Sequence, residues 1–321
     1  MRRIFYRTFF FLSLAFLLLG CTGEEAKPLR IGTCVWPGYE PLFLGRSLGY
    51  FEKTAVQLVE LNSASEVIRN FRNGAFEGAV LTLDEALLLA DSGTDIGLVL
   101  VMDISHGGDV ILGRPELTTI DAIRGKRVGI ENTALGAYVL SRATEMAGIA
   151  MGELTVIPLE ISEHEAAYLQ EKVDAVVTFE PVKTRLVTAG ARILFDSRQI
   201  PGEIVDVLVV RHDYLEKHSQ EVRKLLDGWF RALDYLGKNP QDAAARMTGR
   251  MKISPAEILE SYNGLRLPDR AENLSMLGGP HPSLTATAER LAGTMLTRKL
   301  LFKEPDIKSL FKEDHLQVLQ Q

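Results

Sequence analysis

Candidate ligand-binding side chains lie at or just past the ends of predicted strands along most of the chain. In open α/β sheets, small ligands bind in the crevice outside the carboxyl ends of the strands. The sequence therefore predicts one ligand site to which several strands contribute. The candidates are aromatic, hydroxyl, amide and acidic residues: Trp36, Tyr39, Thr82, Asp84, Asp103, Ser105, Asn132, Thr133, Phe179 and Glu180.

Three of these residues could form aromatic walls for a pocket. Trp36 and Tyr39 follow the first predicted strand, and each has an apolar ring with a polar tip. Phe179 follows a later strand and could stack on the ligand. For Trp36, packing in the core is the alternative.

Acidic and hydroxyl residues could contact the polar groups of the ligand. Asp103 ends a strongly apolar strand, with Ser105 close behind, and a buried carboxylate is costly without a partner. That partner is a ligand cation or amide, or a neighbouring backbone N–H group. Thr82 could cap the following helix or point its hydroxyl at the ligand. Asp84 could simply complement the helix dipole, and Glu180 ends a strand just before a helix.

Asn132 and Thr133 precede a predicted helix, whose exposed N–H groups would favour an anion. A plain helix cap by either side chain is the alternative. Acids nevertheless dominate the candidate loops, which contain no lysine or arginine, whereas a free nitrate or sulfonate would favour a guanidinium. The balance favours a ligand with an amine, amidine, urea or heterocyclic nitrogen. The acids are Asp84, Asp103, Asp109, Glu131 and Glu180, with Asp206 on a later strand.

Short apolar runs alternate with helical patterns, which predicts mainly parallel sheets covered on both faces, an α/β fold. The first series has strands at 29–36, 56–61, 78–82 and 96–102. The second has strands at 110–113, 126–130, 154–159, 173–178 and 192–195. A strand at 205–210 is followed by helices at 220–237, 240–247, 255–262, 284–301 and 307–319.

The segment from Ile96 to Gly113 connects the two series through a polar stretch with two adjacent glycines. We interpret it as a crossing between two lobes, with the polar stretch at the mouth of the cleft; a hairpin within one sheet is the alternative. Strand 205–210 would be the return crossing. The predicted lobes are 29–103 plus 208–321, and 104–207.

The N-terminus carries three arginines and then an apolar run, which is typical of a signal peptide. It ends in Leu18-Leu19-Gly20-Cys21, which resembles the bacterial lipobox. The resemblance implies cleavage before Cys21, a lipid on its sulfur, and a tether at 21–28. A plain secretory signal is the alternative. Losing residues 1–20 would change the net charge from −6 to −9, which makes nucleic acid a poor partner.

Several motifs resemble nitrate/taurine/sulfonate-type substrate-binding proteins of ABC transporters, and they occur in the order found in that family. They are the segments 36–51, 103–109, 123–131, 173–181 and 264–268. The family implies the type II periplasmic binding fold, in which two lobes joined by two crossing strands close around a small molecule, with a helical C-terminal cover. It also implies a lipoprotein on the periplasmic side of the cell envelope.

The resemblance therefore predicts a monomeric solute-binding protein that captures a small polar molecule for an ABC permease. A lipid-anchored input protein for a membrane sensor is an alternative, and so is an enzyme of pyrimidine or menaquinone-precursor metabolism on the same fold. The sequence contains no Walker loop, Gly-x-Ser-x-Gly, HExxH or cysteine-rich metal motif, so we expect no catalysis and no cofactor. His106 is the one histidine near the predicted cleft.

Overall fold

A computed structural model of the chain describes residues 28–52, 55–131 and 134–311. Three of the predicted functional residues, Cys21, Asn132 and Thr133, lie outside the described residues, as does most of the predicted helix at 307–319. No helix in the described ranges combines the length and apolar character needed to cross a membrane.

The described chain contains eleven strands in two sheets. The strands are β1 (Leu29–Thr33), β2 (Val56–Glu60), β3 (Gly78–Thr82), β4 (Ile96–Ser105), β5 (Val110–Gly113), β6 (Arg127–Glu131), β7 (Thr155–Leu159), β8 (Ala175–Thr178), β9 (Arg192–Asp196), β10 (Val205–Arg211) and β11 (Leu265–Arg266). The first sheet has the order β2-β1-β3-β10-β4-β11, and the second has the order β7-β6-β8-β5-β9.

Twelve α-helices accompany these strands in the described ranges. They are α1 (Glu40–Ser47), α2 (Ala64–Arg72), α3 (Leu83–Asp91), α4 (Ala134–Met146), α5 (Ile161–Leu169), α6 (Val182–Thr188), α7 (His212–Lys238), α8 (Pro240–Met251), α9 (Pro255–Ser261), α10 (Arg270–Leu277), α11 (Ser283–Thr297) and α12 (Ile307–Leu310).

Each sheet combines parallel strands with one strand that arrives from the other lobe. β1 pairs in parallel with β2 and β3, while β10 is antiparallel to both β3 and β4. In the second sheet β6 pairs in parallel with β7 and β8, while β5 is antiparallel to β8 and β9. This confirms the predicted two-lobe α/β architecture with two crossing strands and a helical C-terminal part. The residue boundaries proposed for the lobes remain a prediction.

The segment from Ile96 to Gly113 crosses between the sheets, because β4 and β5 belong to different sheets. The hairpin alternative is therefore wrong. The strand also continues beyond the predicted end at 102, through Asp103 to Ser105. It does so because Val205 of β10 and Leu265 of β11 give this end partners for its backbone.

Helix α10 was not predicted, although its start carries a recognisable signal. Asp269 accepts from the N–H of Glu272 at 2.8 Å, and the Glu272 carboxylate accepts from the N–H of Asp269 at 2.9 Å. The fully buried Asn273 side chain accepts from the N–H of Val101 at 2.7 Å and donates to its carbonyl at 3.1 Å. The helix is thereby attached to β4, the strand that carries Asp103.

Candidate functional site

A partly open cavity, here called the inner cavity, lies between the two sheets; about 370 Å³ there is not filled by atoms, a volume that includes space open to solvent. The first sheet and its helices contribute Cys34, Trp36, Tyr39, Ala64, Thr82 and Glu85 to its lining. The second sheet and its helices contribute Glu131, Leu135 and Phe179, and the crossing segments contribute Asp109 and Asp206. Residues from both sheets therefore surround one space, as expected for a site at the ends of strands.

Aromatic rings form one side of the inner cavity. The rings of Trp36 and Phe179 meet edge to face, with centroids 5.6 Å apart and an interplanar angle of 87°. The polar groups of Trp36 and Tyr39 donate hydrogen bonds to buried carboxyl groups. Trp36 Nε1 donates to Asp103 Oδ2 at 3.1 Å, and Tyr39 Oη donates to Asp206 Oδ1 at 3.0 Å. Trp36 is thus both a packed core residue and a wall of the cavity.

Asp103 and Asp206 form a pair of buried carboxyl groups on adjacent strands. They face each other in the antiparallel pairing of β4 with β10. Burial raises the pKa of Asp103 to about 7. Burial and the neighbouring charge of Asp103 raise the pKa of Asp206 well above its usual range. The pair therefore retains a proton at neutral pH, because two adjacent carboxylates in a low-dielectric site cannot both ionise cheaply.

Two further buried acidic side chains, Asp84 and Glu85, lie at the start of α3. The N–H of Thr82 donates to Glu85 Oε2 at 3.1 Å, so the Glu85 carboxylate caps the helix and lines the cavity. Burial, followed by the charge of Asp84, raises the pKa of Glu85 well above its usual range, and burial raises that of Asp84 to about 6. Thr82 Oγ1 and Asp84 Oδ2 are buried without a hydrogen-bond partner in the described residues.

Asp109 and Glu131 complete the acidic lining. Burial raises the pKa of Asp109 to about 6 and that of Glu131 to about 7. Glu131 Oε1 has no hydrogen-bond partner among the described residues. A buried oxygen of this kind costs free energy until a donor reaches it. The lining is therefore suited to a ligand that offers N–H groups or positive charge.

No described residue that lines the inner cavity is a lysine or an arginine. Cations near the crossing segment have protein partners: Lys183 lies 3.2 Å from Glu180 Oε1 and donates to the carbonyl of Gly107 at 2.9 Å. Arg198 lies 2.6 Å from Asp196. Within the described ranges, no group of three or more His, Cys, Asp or Glu side chains is arranged to hold a metal ion.

The structure brings four of the predicted site residues together in the lining: Trp36, Tyr39, Thr82 and Phe179. Asp84 and Asp103 are buried beside them and are not part of the lining. Ser105 Oγ lies 2.8 Å from Ser197 Oγ, and Glu180 accepts from the N–H of Thr184 at 3.1 Å. The contacts of Ser105 and Glu180 are internal to the protein, and a ligand contact by any of these eight residues stays a prediction.

Seven lining residues were not among the ten ligand-binding candidates. Three of them, Asp109, Glu131 and Asp206, were noted only as acids of the sequence, and the other four are Cys34, Ala64, Glu85 and Leu135. Glu85 had a readable signal, because a threonine followed three positions later by glutamate is a helix-start pattern. Cys34 directly follows β1, but a small apolar residue at that place has no polar pattern to mark it.

The Cys34 thiol is buried and not bonded to another cysteine in the described residues. Burial raises its pKa well above the usual value, and the charges of Glu131 and Glu85 act in the same direction. The thiolate is the nucleophilic form of cysteine, and this environment disfavours it. Cys34 therefore acts as a small apolar part of the wall.

Two α/β sheets, two crossing strands and a cavity lined from both sheets define a periplasmic binding protein fold. The structure of the alkanesulfonate-binding protein SsuA from Xanthomonas axonopodis pv. citri bound to MOPS aligns with a TM-score of 0.75, at 17% identity over 91% of this chain and all of that chain. The desulfurization enzyme DSZB also aligns, with a TM-score of 0.67 at 14% identity over 90% of this chain and 98% of that chain.

The chain belongs to the NMT1-like family, whose pattern matches residues 22–250. A putative aliphatic sulfonates-binding protein of Escherichia coli K12 is 22% identical over 293 residues, which is 88% of this chain and 89% of that protein. The taurine-binding periplasmic protein of the same strain is 21% identical over 205 residues, 62% of this chain. That match spans 64% of the length of the taurine-binding protein.

Proposed function

We propose that this protein is an extracytoplasmic solute-binding protein that captures a small polar, nitrogen-containing molecule in the inner cavity and delivers it to an ABC importer. The observation that supports this proposal most directly is the composition of the cavity wall. Four acidic side chains line it: Glu85, Asp109, Glu131 and Asp206, with no basic side chain among the described lining residues. Such a wall favours a ligand that donates hydrogen bonds or carries positive charge.

The architecture supports capture by closure. Ligand contacts would come from both sheets, and closure is stabilised by contacts that exist only when both lobes touch the ligand. The relatives named above are binding proteins for taurine and, putatively, aliphatic sulfonates, which supports the import role. Taurine itself carries an amine, so an amine-accepting cavity fits one of those ligands better than an amine-free sulfonate.

The chemistry of the cavity supports binding rather than catalysis. Cys34 is the one thiol in the lining, and its environment keeps it protonated and unreactive. Glu131, which lines the same space, has a buried acceptor Oε1 without a partner among the described residues, and such an acceptor is suited to holding a donor. Turnover of any bound compound by the purified protein would contradict this proposal.

Membrane attachment at Cys21 is part of the proposal, and it rests on the sequence alone. A lipid on this sulfur would place the protein on the periplasmic side of the cell envelope. The Cys21→Ser variant would then fractionate as soluble envelope protein, while the unmodified sequence sediments with membranes. Equal membrane association of both forms would remove the lipid anchor from the proposal.

A thermal-shift screen tests the ligand class. The purified protein is heated with matched nitrogenous and sulfonated small molecules, for example taurine, ethanesulfonate and ethylamine. A compound that binds the folded protein raises the melting temperature, by an amount that grows with concentration over Kd. We expect shifts only with compounds that contain nitrogen. Shifts with amine-free sulfonates alone would overturn the proposed ligand class and leave the solute-binding role intact.

A further inference from the structure

Glu131 connects the second sheet to a helix of the other lobe. It is the last residue of β6, and its side chain lines the inner cavity together with Ala64, the first residue of α2. The residue is only 4% exposed. Burial raises its pKa to about 7, while the backbone N–H groups of Ser65 and Ala64, which face the carboxylate, act in the opposite direction. Glu131 therefore lines the inner cavity together with the first residue of α2.

The start of a helix is a natural place for a negative charge, because its first N–H groups have no partner within the helix. In α2 the capping side chain of Ser63 accepts from the N–H of Glu66 at 3.3 Å. The backbone N–H groups of Ala64 and Ser65, the next two donors at this helix start, act to lower the pKa of Glu131. Because a helix start favours anions in general, the Glu131 carboxylate would compete there with an incoming sulfonate or carboxylate.

We propose that Glu131 determines the ligand specificity of the inner cavity, by filling the anion position at the start of α2 and excluding amine-free anions. The proposal deepens the proposed function and rests on it. The buried Oε1 of Glu131 has no hydrogen-bond partner among the described residues, so a ligand N–H group that reached it would offset the cost of its burial. The one residue would therefore both repel sulfonates and attract nitrogenous ligands.

The surrounding charges support this assignment. The neighbouring acid that most affects Glu131 is Glu160, an exposed residue just before α5. Glu160 adds negative potential at the cleft, but its side chain does not line the inner cavity. Replacing it removes the same charge as replacing Glu131 and leaves the start of α2 occupied. Glu160→Ala is therefore a matched control for Glu131→Ala.

Binding of ethanesulfonate, measured by isothermal titration calorimetry at pH 8, tests the proposal. At this pH Glu131 is ionised. We expect Glu131→Ala to bind ethanesulfonate at least about tenfold more tightly than the unmodified protein, a gain of ~1.4 kcal/mol. Glu131→Gln removes the charge but keeps the side chain in place, so its gain should be smaller. Glu160→Ala should change the affinity less than twofold, and circular dichroism verifies that all variants fold.

A second measurement separates charge from shape. At pH 5 the Glu131 carboxyl of the unmodified protein is protonated, so ethanesulfonate should bind more tightly than at pH 8, and this pH effect should shrink in Glu131→Gln. If the unmodified protein binds ethanesulfonate at pH 8 as tightly as Glu131→Ala, the specificity role is wrong. It is equally wrong if neither Glu131 variant exceeds Glu160→Ala. The Glu131 variants could bind ethanesulfonate more tightly while no nitrogenous compound binds the unmodified protein. That result would contradict the proposed ligand class and leave the proposed exclusion of anions by Glu131 intact.

Discussion

Asp103 and Asp206 face each other on β4 and β10, the strands of the first sheet that lead into and out of the second lobe. Each carboxyl group receives one hydrogen bond from an aromatic residue that follows β1, Asp103 from Trp36 and Asp206 from Tyr39. The crossing point, the aromatic wall and the acidic pair are therefore one connected unit. A ligand that binds Asp206 also contacts the segment about which the lobes would move.

Asp206→Asn should weaken the binding of a cationic or amine-bearing ligand found in the screen by about tenfold or more. The substitution keeps the size of the side chain but removes a carboxyl group that can ionise when a buried ligand cation needs a partner, and loss of one partner of such a pair costs ~2–5 kcal/mol. Calorimetric titration of the variant with that ligand measures the loss.

Asp234→Asn is the control for this change, because its side chain is 76% exposed and lies outside the cavity. It should leave the affinity unchanged. An Asp206→Asn variant that folds normally and keeps full affinity would remove this residue from the site.

The stability of the ligand-free protein should fall as pH rises from about 4 to about 8. Burial raises the pKa values of Asp84 and Asp109 to about 6, and those of Asp103 and Glu131 to about 7. In the unfolded chain these groups titrate near pH 4. The folded state therefore binds more protons between these values, and the free energy of unfolding decreases with pH across that window.

Melting temperatures measured at pH 5 and pH 8 provide the check, with an expected loss of several degrees at pH 8. Asp103→Asn removes one of the titrating groups, so its melting temperature should depend less on pH than that of the unmodified protein. A stability that rises with pH through this range would contradict the buried, protonated state of the carboxyl groups.

Binding of a cationic ligand should release protons near neutral pH. The ligand favours the ionised form of the lining carboxylates, whose raised pKa values keep some of them protonated in its absence. Affinity should therefore increase with pH between about 6 and 8. Calorimetry in two buffers with different ionisation enthalpies gives the number of protons released, and Asp206→Asn should release fewer. A neutral ligand would bind with little proton release, which distinguishes the two ligand types.

The sequence was sufficient to predict the two-lobe fold, because buried parallel strands appear as apolar runs that alternate with helical patterns. Four of its candidates, Trp36, Tyr39, Thr82 and Phe179, line one cavity, since each comes at or just past the end of a strand, and their contact with a ligand stays a prediction. It could not show that the Asp103 carboxyl would face a second carboxyl group, because the pairing of β4 with β10 joins residues 103 positions apart. Such a pairing depends on register, which no local pattern specifies.

Gly38→Ala should disrupt the unit formed by the aromatic wall and the acidic pair. A Cβ atom at this position would clash with Asp103 Oδ2 and lie 2.7 Å from Trp36 Nε1, so both side chains would have to move. Overpacking of a buried site typically costs ~1–3 kcal/mol, and here it also separates a buried carboxyl from its donor. We expect a lower melting temperature together with weaker ligand binding. Gly152→Ala is the control, since a Cβ there has no neighbour within 4 Å among the described residues. If the two variants melt at the same temperature, the close packing of Asp103 against the segment after β1 is wrong.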